Sequence, residues 1–344
     1  MSSDTQMSRS AARKKSPKPK RGFRWGRFFF LLFFFILLAV ALFLGYLFLE
    51  TKDAIHDIST DNDNGQITVV PKTESVKVKP FAMLLLGVDT REKSGGMNTD
   101  VMMVAAFNPA SKSAVLVSIP RDTRIELDGY RTRKANSYYA RFLGAAREDG
   151  LEGIAAESKA RNDMKELLGQ YFDVPVQYTT IVNFQGFRDV VDAFGGIEVN
   201  VDMDMRYIDN ADGTDINLTA GFQPLNGDQA LDFVRYRKSN AGTDESSDFE
   251  RNARQSEVLG ALTDRMKSLG GVSKLGKVIE AVGNNMEMDM PAKEIENMMM
   301  TYFGIDRSAI QFIPLEGTWR SPYVYLDEAK LAEAKAALKA KLTE

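Results

Sequence analysis

Residues 230–259, ALDFVRYRKSNAGTDESSDFERNARQSEVL, gather Arg235, Arg237, Arg251, Arg254 and Gln255 into two short clusters. A guanidinium stays charged and presents a rigid fork of donors, which fits a carboxylate or phosphate bidentately. The first cluster alternates like a strand, with Phe233, Arg235 and Arg237 on one face and Val234 and Tyr236 on the other. Two guanidiniums on such a face stand roughly 7 Å apart, a span that brackets a pyrophosphate. The second cluster follows a helix start at Ser247-Asp248, so Arg251, Arg254 and Gln255 fall at i, i+3 and i+4 on one helix face. Four arginines on two coherent faces point to anion binding rather than to a solvated surface.

Three more charged groups sit at the ends of apolar runs. Asp89 ends the first, Asp100 opens the second and Arg121 follows the third. If the three runs are antiparallel neighbours in a sheet, both acids and the arginine arrive at one rim. Two oxygen ligands without histidine or cysteine suit a hard cation such as Mg²⁺. The same aspartates are equally at home as turn and strand-end residues. Pro120 ends the pairing of its strand and presents Arg121 at a defined place. Lys134 and Asn136 then add a cation and a neutral hydrogen-bonding group. The chain has no cysteine, which removes disulfides, thiolate metal sites and cysteine nucleophiles. Its one histidine is His56, so carboxylates are the expected proton acceptors.

The amino terminus decides where this chemistry takes place. Residues 28–49 carry no charge over a length that spans a bilayer core. No small-residue cleavage site follows, so an uncleaved anchor is expected. Residues 1–27 hold nine basic residues against Asp4, and the positive-inside rule puts this tail in the cytoplasm and residues beyond 49 outside. Such a tail, with Pro17 and Pro19, is expected to be disordered against an anionic leaflet. Of the 44 basic and 47 acidic residues in the 344, 35 and 46 remain beyond it, a net of −11. An acidic outer part argues against a nucleic-acid partner.

Residues 50–79 are polar and aperiodic, a stalk with one short strand at 67–70. A domain over residues 80–344 follows, without repeats. Its predicted strands are 81–89, 99–107, 114–122, 176–184, 197–205, 230–237 and 310–315. Predicted helices cover 187–194, 248–269, 274–284, 292–303 and 326–342, with helical spacing over much of 141–172. The Met298-Met299-Met300 run is read as core filler. The mixed order implies an α/β or α+β fold, one mixed sheet flanked by helices.

The segments LLLGVDTRE (84–92), NTDVMMVAAFNP (98–109), VLVSIPRDT (115–123), RKANSYY (133–139), DVVDAFGGIEVNV (189–201), ALDFVRYR (230–237) and DFERNARQSEVL (248–259) resemble, in order, the motifs of the LytR-CpsA-Psr proteins of bacterial cell envelopes. The resemblance covers roughly residues 80–265, and the single basic-flanked anchor is also typical of that family. It implies an enzyme, a phosphotransferase that moves a glycopolymer such as wall teichoic acid or capsule from an undecaprenyl-pyrophosphate carrier to a peptidoglycan hydroxyl. The join is a phosphodiester. By the same resemblance Asp89 and Asp100 are associated with Mg²⁺, and Arg91, Arg121, Arg235, Arg237, Arg251 and Gln255 surround the pyrophosphate, while Arg254 serves structure. An apolar groove for the lipid is implied as well, at a place the sequence does not reveal.

Two positions depart from the family's habit: Asn98 where an arginine often precedes the second aspartate, and Glu250 where a glycine often precedes the arginine of the last motif. Phosphoryl transfer needs charge neutralisation more than covalent chemistry, which matches the residues found. Arg121 and Lys134 join the expected phosphate-binding set, and Asp89 is the first candidate for general base. Two other functions remain compatible with these residues. One is a pyrophosphatase acting on the same lipid with water as acceptor; the other is a non-enzymatic binder or regulator in the envelope.

Overall fold

An eight-residue apolar run, FAMLLLGV, forms strand β1 (Phe81–Val88), because such a run is stable only when both faces are covered. It is the centre of the sheet. β2 (Thr99–Asn108) and β3 (Ser113–Ser118) follow as an antiparallel meander, pairing Phe81 with Phe107 and Phe107 with Ala114. The computed structural model describes residues 59, 69–88, 99–210, 213–268, 283 and 285–344. The basic tail, the apolar run 28–49, Asp89, Arg91, Asn98 and, apart from Gly283, the predicted helix 274–284 lie outside these. The chain divides into Met1–Phe48 and Leu49–Glu344, and the second unit is the one described below. Among the described residues no helix is long and apolar enough to cross a membrane.

After β3 come the short strands β4 (Arg124–Ile125) and β5 (Arg133–Lys134), paired antiparallel. Helices α1 (Tyr138–Glu148) and α2 (Gly153–Phe172) return the chain to β6 (Tyr178–Asn183), which lies parallel to β1. Helix α3 (Phe184–Ala193) leads into strands β7 (Ile197–Val201), β8 (Met205–Asp209), β9 (Thr214–Leu218) and β10 (Gly221–Leu225). These pair as β7 with β10 and β8 with β9. Helices α4 (Gly227–Arg235) and α5 (Asp248–Lys267) follow. The chain closes with β11 (Met286–Met288), α6 (Ala292–Tyr302), β12 (Ile310–Pro314), β13 (Gly317–Arg320), β14 (Tyr323–Leu326) and α7 (Glu328–Thr343). The main sheet runs β11-β6-β1-β2-β3-β12 and is mixed, as expected.

Strand alternation sends successive side chains to opposite faces, so each strand feeds two cores. Leu84, Leu86, Met102, Val104 and Val117 face Tyr139, Met164, Leu168 and Leu338 of the helices α1, α2 and α7. Phe81, Met83, Ala105 and Leu116 face Ile295 and Tyr302 of α6. Met298 and Met299 pack there too, whereas Met300 is 69% exposed, so the methionine run is core filler for two of its three residues. A third cluster joins Val191, Ile197, Val199, Leu231, Phe233 and Val258. Val76 is fully buried in the second cluster, and the carboxylate of Glu294 accepts from Ser75 Oγ and Val76 N, so packing begins before Pro80.

One predicted element is wrong in kind. The strand expected at 230–237 is the helix α4 and its C-cap Tyr236. A capping box starts it: Asn226 Oδ1 accepts from Gln229 N at 2.9 Å, and Gln229 Oε1 accepts from Asn226 N at 3.1 Å. Ala230, Leu231, Phe233 and Val234 then bury one helical stripe, and the Phe-Arg-Arg alternation is accidental over so short a run. The strand expected at 197–205 ends at Val201, and Met205 opens a separate strand, β8. Residues 326–342 contribute their first residue to β14, and the helix starts at Glu328 behind the Asp327 cap.

Candidate active site

The meander puts the start of β2 and the end of β3 at one end of the sheet. Ile119 N still donates to Met102 O, and Pro120 then stops the ladder. Arg121 follows directly, and its Nη1 donates to Oδ1 of Asp100 at 2.9 Å. Both side chains are about a quarter exposed, 25% and 27%. At the same end Gly87 allows β1 and β2 to close up, since a Cβ there would lie 2.9 Å from Cβ of Val101. The expected convergence of Asp100 and Arg121 is therefore present.

The second set of groups arrives from α4 and α5. Arg235 occupies the last turn of α4, and its guanidinium lies over the Phe184 ring, 4.7 Å from the centroid. Arg237 follows the C-cap. Helix α5 begins with its own capping box, in which Glu250 N donates to Ser247 Oγ at 3.2 Å and Ser247 N to Glu250 Oε2 at 2.6 Å. Glu250, one of the two departures in the sequence, thus has a local role that glycine would not fill. Arg251 and Gln255, each 8% exposed, project from the buried side of α5. The Oε1 atom of Gln255 is buried without a hydrogen-bond partner. Buried polar atoms are nearly always satisfied, so this amide keeps capacity for a ligand.

These groups share one cavity of about 590 Å³. Its wall is apolar, drawn from Leu85, Met103, Val182, Phe187, Val190, Val234, Leu259 and Leu262. Its polar residues include Asp100, Arg121, Arg235, Arg237, Arg251 and Gln255. Among the described lining residues four guanidiniums face one carboxylate, so this polar part favours an anion, and the apolar part favours a hydrocarbon. That combination is what an amphiphile with an anionic head requires.

Not every expected residue is there. Lys134 does not line the cavity; its Nζ is 3.0 Å from Asp122 Oδ1 and 5.3 Å from the centre of the Trp319 ring. Arg254 is the structural member of its motif. It is 3% exposed, and its Nε and Nη2 each donate to one oxygen of Asp202 at 2.7 Å, with Nη1 donating to Ser246 Oγ at 2.9 Å. Asp89 and Arg91 lie outside the described residues. Sequence reasoning missed Phe184 and Phe187 as lining groups, because Phe184 closes the strand expected at 176–184 and Phe187 opens the helix expected at 187–194, places where an aromatic ring reads as core.

Among the described residues no cluster of three or more histidines, cysteines and acids could hold a metal ion by itself. Mg²⁺ is commonly held by one or two carboxylates together with substrate phosphates. Among the described residues Asp100 is the cavity carboxylate that fits that shared mode.

A model of the LytR_cpsA_psr family matches residues 45–340. Polyisoprenyl-teichoic acid--peptidoglycan teichoic acid transferase TagT of Bacillus subtilis (strain 168) is 29% identical over 341 residues, covering 96% of this chain and 97% of TagT. The transferase of the same description called TagU, from Bacillus mycoides (strain KBAB4), is 30% identical over 302 residues, with 85% and 88% covered. TagV of Bacillus subtilis (strain 168) is 29% identical over 245 residues, 71% of this chain, and the chain spans 58% of that relative's length. In three dimensions the crystal structure of Bacillus subtilis TagV matches with a TM-score of 0.60 at 28% identity, covering 77% of this chain and 98% of TagV. A structure of TagT bound to LI-WTA matches with a TM-score of 0.55 at 25% identity, covering 80% of this chain and 100% of that one.

Proposed function

This chain belongs to the LytR-CpsA-Psr family, and from that premise we propose that it transfers an anionic glycopolymer from a polyprenyl-pyrophosphate carrier to a hydroxyl of peptidoglycan. It is an enzyme of the phosphotransferase type, in line with the transferase names of its relatives. The observation that carries the finer reading is the continuity of an apolar cavity with a rim of four arginines, Asp100 and Gln255. A polyprenyl chain satisfies the apolar wall, and its pyrophosphate satisfies the rim.

In the reaction, the acceptor hydroxyl attacks the glycan-bearing phosphorus, a new P–O bond forms, and the P–O–P bridge breaks. Polyprenyl phosphate leaves, and the hydroxyl proton passes to a base. Arg121, Arg235, Arg237 and Arg251 hold the phosphate oxygens and stabilise the charge that develops on the leaving phosphate. The Phe184 ring fixes the Arg235 guanidinium in place before substrate arrives. The buried Oε1 of Gln255 can accept from a hydroxyl of the substrate. Asp89 is our candidate base, and with Asp100 it would hold Mg²⁺. The cation would neutralise pyrophosphate charge. We place the anchor at residues 28–49, with the amino terminus in the cytoplasm and the catalytic domain outside, where both substrates meet.

The test is a reaction of the full chain with a synthetic polyprenyl-pyrophosphate glycan and Mg²⁺, with and without a peptidoglycan oligomer. Product that requires the oligomer supports transfer. Release of the glycan phosphate at the same rate without it means that the chain is a pyrophosphatase.

A further inference from the structure

Arg235 and Arg237 reach the cavity on different mounts. Arg235 sits in the last turn of α4, but the chain leaves the helix at Tyr236, where φ is −54° and ψ 127°. The helix therefore does not fix the backbone at Arg237, and the loop that follows has to. Residues 238–245, KSNAGTDE, hold no apolar side chain larger than alanine, the composition of a mobile surface loop. Here the loop is closed and tied down. Ser246 N donates to Arg237 O at 2.9 Å and joins its two ends. Arg254 Nη1 spans the same neck, donating to Tyr236 O at 3.3 Å and to Ser246 Oγ at 2.9 Å. Further out, Asn240 accepts from Ile208 N at 3.0 Å and donates to Ile208 O at 2.6 Å, so its amide covers the edge of β8 as a paired strand would.

The middle of the loop is held from inside by Tyr236. Its side chain is fully buried, and its hydroxyl lies 2.8 Å from Thr243 Oγ1 and 2.6 Å from Asp244 O. A carbonyl only accepts, so the Tyr236 proton goes to Asp244 O. The Tyr236 oxygen is then left to accept, which makes Thr243 the donor of the other pair. Thr243 Oγ1 in turn accepts from Arg206 N of β8 at 3.1 Å. One phenol thus connects the end of α4, the loop and β8.

We propose that Tyr236 is a positioning residue for the pyrophosphate site: its hydroxyl locks residues 238–245 against the edge of β8 and so fixes Arg237 at the cavity. This rests on the function proposed above, in which Arg237 holds a phosphate oxygen. The hydroxyl carries the effect, not the ring. Phenylalanine would keep the buried ring and its place 5.9 Å from the Arg254 guanidinium, but it would take one partner from Thr243 Oγ1 and one from Asp244 O. The loop would lose its inner fastening, and Arg237 its fixed start.

Y236F should lower kcat/KM for a polyprenyl-pyrophosphate donor about ten- to hundredfold, the scale of a misplaced group. T243V removes the other hydroxyl from a less buried position and should act likewise, whereas T243S keeps that hydroxyl and should restore the wild-type value. A cycle with R237A separates positioning from general support of the fold. With Arg237 absent, Y236F should cause no further loss in kcat/KM. Equal losses from Y236F in both backgrounds overturn the proposal, as do a wild-type kcat/KM in Y236F or equal losses in T243V and T243S. Calorimetric titration of the full chain with inorganic pyrophosphate reads the same coupling without turnover. Y236F should weaken binding about tenfold when Arg237 is present and leave it unchanged in R237A. If the wild-type chain forms no product while this coupling is seen, the transferase function fails and the positioning role stands. If product forms and the coupling is missing from both measurements, the positioning role alone fails.

Discussion

Nη1 of Arg121 donates to Oδ1 of Asp100 at 2.9 Å, so the end of β3 and the start of β2 are tied together at the polar part of an apolar cavity. The two residues are 21 positions apart and meet because β2 and β3 are antiparallel with Met103 opposite Ser118. Arg121 therefore comes positioned, with its carboxylate partner already in place. R121A should lower kcat by about a hundredfold or more, the usual loss when one preorganised donor is removed from a developing oxyanion. R121K should recover only part, because an ammonium has no planar fork. Steady-state transfer rates at saturating donor check this.

Arg254 and Arg251 are three residues apart on α5 and should behave differently. Arg254 binds Asp202 through two 2.7 Å contacts and is 3% exposed, whereas Arg251 lines the cavity. R254A should cost about 2–3 kcal/mol of stability; the side chain of Asp202 is 42% exposed and is partly solvated once the pair is broken, which limits the loss. Denaturant midpoints should show this, while R251A should show its main loss in turnover.

Phe184 should act through Arg235. Its ring lies 4.7 Å from the guanidinium carbon, a geometry worth about 0.5–1 kcal/mol or more. F184L, which keeps bulk and removes the ring, should raise the donor KM about two- to fivefold, and F184Y should restore it. Equal effects of both variants would mean that Phe184 matters only as filler.

Burial pushes the Asp232 carboxyl from 3.8 up to about 6; Arg235 and Arg188 oppose the shift, and Asp228 and Asp215 add to it. Between those values the folded chain keeps a proton that the unfolded chain releases. Stability from this group is thus present at low pH and lost as pH rises towards about 6. D232N, neutral throughout, should flatten the pH dependence of the urea midpoint over that window and be relatively more stable at neutral pH. Parallel profiles for the two proteins would contradict this.

Filling the cavity should separate long from short lipids. Leu259 lines the apolar wall. L259W adds bulk there and should raise the KM for a long polyprenyl donor more than for a short one, with the folded state intact by circular dichroism.

The central meander was legible because strands covered on both faces must be continuous apolar runs, and 81–88, 99–108 and 113–118 are such runs. The meeting of Asp100 with Arg121 followed from that order, given antiparallel pairing. Arg235 and Arg237 were grouped by a strand alternation that is not there, and both line the cavity from the end of a helix instead. A run of eight residues fits a period of 2 nearly as well as 3.6, and the cap that decides it, Asn226, lies before the run. The cavity was not legible, since Leu85, Val182, Val190 and Leu259 each read as ordinary core and only their joint failure to fill space makes a pocket. The β13–β14 hairpin escaped because four-residue strands about Ser321-Pro322 carry too short a pattern.

The most direct measurement is a product balance. The full chain would be given a polyprenyl-pyrophosphate glycopolymer labelled in its lipid and in its glycan, together with Mg²⁺ and a peptidoglycan oligomer. The expected result is one polyprenyl phosphate released for each glycopolymer joined to the oligomer through a phosphodiester, with both lost together in the R121A variant. Polyprenyl phosphate released alongside free glycan phosphate, with no joined product, would contradict transfer.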